Sequence, residues 1–362
     1  MEKLRNIKNI LVTGGAGFIG SAFIRHMLQN VKGFKGVLIN YDILTYAGNL
    51  ENLKEVENDP RYLFCRGDIA NEGLVEHLCQ EHEIDTIIHF AAESHVDRSI
   101  LGPKAFIETN ILGTFHLLEV VRRNPHIHFH HVSTDEVYGC LGDEGFFHEE
   151  TPYSPNSPYS ASKASSDHLV RSYSKTYKIS VCISNCSNNY GPYHFPEKLI
   201  PLTILNCLNE KPIPVYGNGT NVRDWLYVED HAKALFMLLE HGKKGETYNI
   251  GGESEWKNID LIRLVIKTLA DLQVKEHQVL ENLIQFVSDR PGHDFRYAID
   301  CGKIKQEIGW KPETSFEEGL KATILWYLNS HAWVENIQSG NYRSWIEKQY
   351  GKLVYEQSQD AS

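Results

Sequence analysis

The segment ILVTGGAGFIG, residues 10–20, restricts the fold more than any other stretch of the chain. An apolar run rich in β-branched residues leads straight into three glycines, Gly14, Gly17 and Gly20, and on into a helical pattern, FIGSAFIRHML. A strand that turns on glycine into a helix opens a βαβ unit. The first glycine permits a tight turn, the second lets backbone approach a pyrophosphate, and the helix N-terminus turns N–H groups and positive dipole toward it. An acid, Asp42, ends the next strand-like run 22 residues after Gly20, where a ribose-binding carboxylate is expected. A carboxylate there repels a 2′-phosphate, so the pattern favours NAD over NADP.

The rest of the first half repeats the alternation. Strand-like runs GVLINYD, RYLFCRGD, DTIIHFAA, IHFHHVST and ISVCISN are separated by helical patterns at GLVEHLCQEH, near 103–123 and from Tyr159 onward. Such alternation predicts an α/β fold, a Rossmann-type doubly wound parallel sheet covered on both faces. Ligands then lie across the carboxyl ends of the strands, so Asp68, the AAESH run (91–95) and Thr109 should gather on one edge. At 362 residues the length admits one large domain or two. From Asn189 the texture changes to Pro, Gly and aromatic punctuation, with helices near 198–209 and 230–241. The expected division is a cofactor-binding domain at 1–188, a smaller, interleaved, mainly substrate-binding domain at 189–350, and a tail at 351–362.

Composition narrows the class. No apolar run approaches the roughly 20 residues that a membrane helix requires, and MEKLRNIKNILVTGG contains no secretory leader pattern, so a cytoplasmic location is expected. Seven scattered cysteines without a C-x-x-C read as buried free thiols. A net charge of −11 disfavours nucleic acid but leaves room for a small anion held by a local basic cluster. The run HIHFHH (126–131) places His128 and His130 on one face of a strand; with no acid or cysteine at ligand spacing, the expectation is packing and polar contacts, with no metal.

Two short motifs carry the chemistry. In HVSTDEVYG an apolar strand ends in Thr134, Asp135 and Glu136, a costly cluster unless water or a ligand meets it. Downstream, Tyr159 and Lys163 are four apart and share one face of a helix that starts near Ser157-Pro158. Bringing a phenol from pKa about 10 to about 7 takes roughly 4 kcal/mol. One cation about 4 Å away at an effective dielectric near 20 supplies about that much. The expectation is therefore that Lys163 lowers the Tyr159 phenol.

Together with VTGGAGFIGS, the phrases YAGNL, HFAAESHVDRS, VSTDEVYG, YSASKASSDHLV, SNNYGPYHFPEKLIP, VYGNGTNVRDWLYVEDH, YNIGG and DRPGHDFRYAID resemble the extended short-chain dehydrogenase/reductase superfamily. Within it they are most similar to the dTDP-glucose 4,6-dehydratases, from residue 12 to about 300. The resemblance implies a homodimer, formed through the helices near 103–123 and 159–177, that binds NAD and dTDP-glucose. It further implies that Tyr159, helped by Lys163 and Thr134, takes the proton of the sugar 4-hydroxyl as hydride passes to NAD. Glu136 then removes the C5 proton, and Asp135 protonates the departing 6-hydroxyl. Implied cofactor contacts, besides Gly14, Gly17, Gly20, Asp42, Tyr159 and Lys163, are Phe18, Ile19, Ile43, Leu44, Thr45, Asp68, Ile69, Ala91, Ala92, Glu93, Ser94, Thr109 and Asn188. Implied substrate contacts are His95, Thr134, Asn189, Lys198, Leu199, Ile200, Pro201, Val215, Arg223, Asn258, Asp289, Arg290 and His293, with Pro214 and Tyr216 flanking the base. Ile43 departs from the family pattern, which has lysine there. Three alternatives stay open: a 4-epimerase, a dehydratase of UDP- or GDP-sugars, and a noncatalytic NAD-binding sensor. An ordinary surface ion pair of Arg223 with Asp224 also stays open.

Overall fold

Strands β1 (Ile10–Thr13), β2 (Leu38–Asp42), β4 (Thr86–His89), β5 (His128–Thr134), β6 (Ser180–Cys186) and β10 (Thr247–Ile250) are buried along their whole length in the computed structural model, which describes residues 4–289 and 291–339. Strands buried on both faces are what the continuous apolar runs require. With β3 (Tyr62–Arg66), the partly exposed edge strand, they form a seven-stranded sheet in the order β10-β6-β5-β4-β1-β2-β3, with every pair parallel. The chain moves outward from β1 to β3 and crosses back to β4 on the other side of β1. The carboxyl ends of β1 and β4 therefore part at the point where the order reverses, which opens a crevice.

Both faces of the sheet are covered. On one, Phe23 of α1 (Phe18–Arg25) packs with Ile10 and Val12. On the other, Leu78 of α2 (Glu72–Glu81) packs with Leu11 and Ile39. Next come the short α3 (Val96–Leu101) and α4 (Pro103–Phe106), then a wide π turn at Ile107–Gly113 that runs into α5 (Thr114–Arg123). The single helix expected near 103–123 is thus broken by a π segment. There the Asn110 side chain exchanges hydrogen bonds with both the N–H and the carbonyl of Glu93, and it also donates to Ser162. α6 (Pro158–Tyr177) completes this face with Val170.

The second half builds a separate core. β7 (Asn188–Tyr190), β9 (Val222–Tyr227) and β11 (Glu255–Lys257) make a three-stranded sheet, and β8 (Ile213–Tyr216) pairs with β12 (Ile284–Val287). The helices here are α7 (Leu199–Leu208), α8 (Val228–His241), α9 (Asn258–Asp271), α10 (His277–Glu281), α11 (Gly302–Ile308), α12 (Phe316–Asn329) and α13 (His331–Ser339). Ile204, Leu261 and Leu320 pack together in this core, whereas Leu235 and Leu238 of α8 return to the large sheet with β10. No helix among the described residues is long and apolar enough to cross a membrane.

All seven thiols are free, but two are not buried: Cys140 is exposed on a loop and Cys65 is half-buried on the edge strand. Each strand histidine has a side-chain partner: His128 with Ser180, His130 with Ser184, and His131 with Ser166 and Asp167. They bridge β5 to β6 and to α6.

α6 carries the tyrosine and lysine, and its start is fixed by a capping box. Ser157 accepts from the Ser160 N–H, Ser160 accepts from the Ser157 N–H, and Pro158 fills the first helical position. Ser157→Ala should lower stability by about 1 kcal/mol, read as a shifted urea midpoint at constant slope.

Candidate active site

The strand ends and the second core enclose one cleft of about 570 Å³. Its floor at one end is the glycine turn, where Gly14 and Gly20 are demanded by packing against backbone. A Cβ on Gly14, whose φ is +70°, would lie 2.5 Å from the Ala91 nitrogen, and one on Gly20 would lie 2.4 Å from the Gly14 oxygen. At Gly17 the nearest atom would be 3.3 Å away, so the bare backbone there faces the cleft for a reason other than packing. Gly17 caps α1 without a side-chain bond, which leaves the N–H groups of the first turn turned toward the cleft. Asp42 joins the turn to β2: its oxygens accept from Ala16 N–H at 2.9 Å and Leu44 N–H at 2.8 Å. A pyrophosphate cradle with an acid beside it fits a dinucleotide.

The other end holds the acids. β5 ends at Thr134, which caps a single 3-10 turn over Asp135–Tyr138. The parallel register that sets Thr134 opposite Cys186 holds this end in the sheet, and the turn swings Asp135 and Glu136 toward the cleft. Asp135 is 1% exposed. Its Oδ1 accepts from the Thr134 hydroxyl at 3.3 Å, while its buried Oδ2 has no hydrogen-bond partner among the described residues. Burial first, then Glu136, then Asp224 push its pKa well above the usual carboxyl range.

Tyr159 and Lys163 also line the cleft, each set by its own neighbours. Lys163 Nζ donates to the Val132 carbonyl at 2.9 Å, and burial lowers its pKa. The phenol, packed with Val96 and Phe106, is pushed well above its ordinary value by burial and by the Glu136 carboxylate; the Thr134 hydroxyl, as a hydrogen-bond partner, opposes that shift. Burial therefore works against the lowering expected from the cation one turn away.

Most residues expected from the sequence gather here. Phe18, Ile19, Ile43, Thr45, Asp68, Ile69, Ala91, Ala92, Glu93, Ser94, His95, Thr109, Asn188, Asn189, Lys198, Leu199, Pro214, Val215, Tyr216, Arg223, Asn258 and His293 line the same cleft. Four do not. Ile200 and Pro201 follow Leu199 into α7, whose turn carries them into the second core; Leu44 is tucked against Ala16 and offers only its N–H, to Asp42; Asp289 sits outside and accepts from His293. Arg290 lies outside the described residues. Arg223 and Asp224 are not a surface pair, because both are buried. The guanidinium donates to the carbonyls of Val222 and Asp294 and stacks 4.3 Å over the Tyr297 ring, while Asp224 accepts from Gly252 and Ser254 N–H.

Sequence reasoning missed Tyr297, Tyr193, His194 and Trp333, which also line the cleft. All four come from the second half, where strand-end logic gives no guide. Several buried atoms on the cleft wall, His95 Nδ1, His194 Nδ1, Trp225 Nε1 and Asn258 Oδ1, have no partner among the described residues. Buried polar groups are ordinarily paired, so a polar ligand is the natural complement to this wall.

A dinucleotide cradle and a buried acid sharing one cleft at the switch point of a Rossmann sheet define the class of dinucleotide-dependent enzymes, and the Tyr159–Lys163 pair beside them matches the short-chain dehydrogenase/reductase resemblance. Comparison sharpens the class. Residues 11–323 match the family model described as GDP-mannose 4,6 dehydratase. A dTDP-glucose 4,6-dehydratase from Shigella flexneri is 54% identical over 94% of this chain and 98% of its own. Crystal structures of dTDP-glucose 4,6-dehydratases from Bacillus anthracis, in complex with NAD, and from Streptomyces venezuelae, also with NAD bound, are 47% and 45% identical, with TM-scores of 0.83 and 0.86. Each covers 91% of this chain and 99% of its own. The chain belongs to the dTDP-glucose 4,6-dehydratase family.

The raised Asp135 pKa has a definite sign for stability. A carboxyl whose folded value exceeds its unfolded value, about 4, favours folding at low pH and loses that contribution as pH rises through the folded value. Asp135→Asn, which keeps the neutral shape, should match the parent near the unfolded value and gain on it toward neutral pH. Urea midpoints across that range check this; a constant difference between the two proteins would contradict it.

Proposed function

We propose that the cleft converts dTDP-glucose to dTDP-4-keto-6-deoxyglucose by oxidation at C4, loss of water across C5 and C6, and reduction at C6, with NAD as the recycled cofactor, in nucleotide-sugar metabolism. The observation that carries this reading is Asp135, buried with Oδ2 unpaired among the described residues, next to Glu136 on the floor of a dinucleotide cleft. An epimerase requires only that a hydride leave and return; expelling water requires an acid and a base as well.

Gly14, Gly17, Gly20 and Asp42 would hold NAD. Bound in its oxidised form, it supplies a cationic ring that favours a Tyr159 phenolate and an acceptor for the hydride that leaves C4 and is returned at C6. Tyr159 takes the 4-hydroxyl proton at its phenolic oxygen, and Thr134 holds that hydroxyl. Lys163, fixed on the Val132 carbonyl, sets positive charge beneath them. The 4-ketone acidifies C5–H, Glu136 removes that proton, and Asp135 gives its own to the departing 6-hydroxyl. Glu136 finally returns a proton to C5. Lys198, Asn258 and His293 serve the nucleotide, and Pro214 and Tyr216, the outward-facing positions of β8, flank the base.

The test is turnover of dTDP-glucose labelled with deuterium at C4, run in light water and then, unlabelled, in heavy water. Label should move to C6 within the same molecule, and solvent deuterium should enter C5. Label lost to bulk water, or a product that keeps its 6-hydroxyl, would refute the scheme. UDP- and GDP-glucose as competing substrates separate the bases.

We read the chain as two domains, 1–188 and 189–350, followed by a tail at 351–362 that lies outside the described residues, with α8, β10 and α11 returning to the first; the separate cores among the described residues support this. The seven free thiols support a cytoplasmic location. A homodimer through the face formed by α3, the π turn, α5 and α6 is supported by its exposed apolar side chains, Leu101 at 88%, Ile107 at 50% and Leu112 at 48%. Sedimentation should give a dimer for the parent and a monomer for Leu101→Glu/Leu112→Glu; a monomeric parent would refute it.

A further inference from the structure

The last described helix returns to the glycine turn. Trp333 of α13 is 281 residues from Asn52 of the 3-10 turn at Leu50–Leu53, yet its Nε1 donates to Asn52 Oδ1 at 2.9 Å inside the protein. Asn52 in turn donates through Nδ2 to the Ala16 carbonyl at 3.0 Å and accepts at its own carbonyl from Arg25 at 2.7 Å. The indole is thus two hydrogen bonds from the backbone between Gly14 and Gly17. Asn336, one turn further along α13, donates to Glu51 at 2.8 Å and doubles the attachment.

Aromatic packing seats this helix. The Trp333 ring is 4.9 Å from Trp326, and Trp326 is 4.5 Å from Tyr193. Tyr193 lies under the Arg25 guanidinium at 4.3 Å and donates to Glu55 at 3.0 Å, although its φ of +66° is a strained value for a tyrosine. Its neighbour His194 stacks on Phe18 of α1 at 4.3 Å. Trp333, Trp326 and Tyr193 pack within the second core, while Trp333 through Asn52, Tyr193 through Arg25 and His194 through Phe18 reach the elements that bear the glycine turn; Trp333, Asn52, Tyr193, His194 and Phe18 all line the cleft.

We propose that Trp333 is a cofactor-retaining positioning residue: through Asn52 it holds the glycine turn in its dinucleotide-binding shape and so slows the escape of NAD. The proposal rests on the NAD reading above. A reaction that returns its cofactor unchanged gains nothing by releasing it, and release after the first step would strand a ketone and the hydride apart. A clasp that ties the second core to the cofactor turn answers that requirement.

Trp333→Phe keeps the ring and removes the N–H; Asn52→Ala breaks the same bond from the other side. Each protein is loaded with radiolabelled NAD, chased with excess unlabelled NAD and sampled by filter binding. Release should be about five- to tenfold faster than in the parent for both variants, the rate equivalent of one lost hydrogen bond. NAD-free Trp333→Phe should melt a few degrees below the parent, as one lost buried hydrogen bond requires, yet release NAD faster than Ser157→Ala, which loses a cap bond away from the glycine turn; equal release from those two variants would assign the effect to stability and overturn the clasp. Release at the parent's rate in both Trp333→Phe and Asn52→Ala would overturn the clasp and leave the NAD reading standing. A parent that binds no labelled NAD would remove that reading, and the clasp with it.

Discussion

Asp135 sits at the end of a buried strand with Glu136 beside it, and the rest of the site is organised around that unfavourable proximity. A carboxylate in low dielectric is costly, and a second one adjacent adds Coulomb repulsion, so the buried partner takes a proton. The pair is held together because the sheet gives neither residue anywhere else to go. β5 is buried from His128 to Thr134 and paired along that length with β6, with Thr134 opposite Cys186. Stiffness in the strand becomes a difference in protonation at its end.

The strand is stiffened by polar contacts as well as apolar ones. Asp167, fully buried on α6, accepts from Ser133 and Tyr153 and pairs with His131 at 3.2 Å. Its carboxyl is held below the usual range, chiefly through His131, against the opposing effect of burial, while burial pushes the His131 imidazole down to about 4. Both shifts describe an ionised Asp167 beside a neutral imidazole, and the hydroxyls of Ser133 and Tyr153 that donate to the carboxylate fit that state. That places a negative charge one helical turn from Lys163 and favours its ammonium form. Thus the lysine supports the site as a fixed charge anchored to Val132, and the tyrosine keeps its proton until further positive charge arrives.

Legibility in the sequence followed the physics of strand ends. The glycine turn, Asp42, Asp68, the 91–95 run and the Thr134–Glu136 cluster all sit where a parallel sheet must deliver them, because alternation in the chain dictates which ends share an edge. Ile200 and Pro201 were misplaced because a contiguous run was carried over whole, whereas a helix shows a ligand only one residue in three or four. The Tyr159–Lys163 spacing is visible in the chain, whereas the desolvation that opposes a lowered phenol appears only with the fold. Trp333 was invisible for a different reason: a hydrogen bond spanning 281 residues leaves no periodicity or spacing in the chain. The second core, built from short strands and aromatic loops, declares its contacts only after folding.

On the proposed assignment, the coupling among these groups also orders the chemistry. Glu136 raises the pKa of Tyr159 and of Asp135, and such couplings are mutual. A phenolate next to Glu136 would favour a protonated, useless base. Once Tyr159 has taken the 4-hydroxyl proton, that repulsion disappears, and the mutual coupling no longer opposes the carboxylate form of Glu136 that removal of the C5 proton requires. When Glu136 accepts that proton its charge vanishes, and with it one of the causes holding Asp135 protonated. Asp135 therefore becomes a stronger acid at the moment the 6-hydroxyl must leave. On that assignment the three ionisable groups, close enough to repel one another, would pass their protons in sequence, each transfer removing the obstacle to the next.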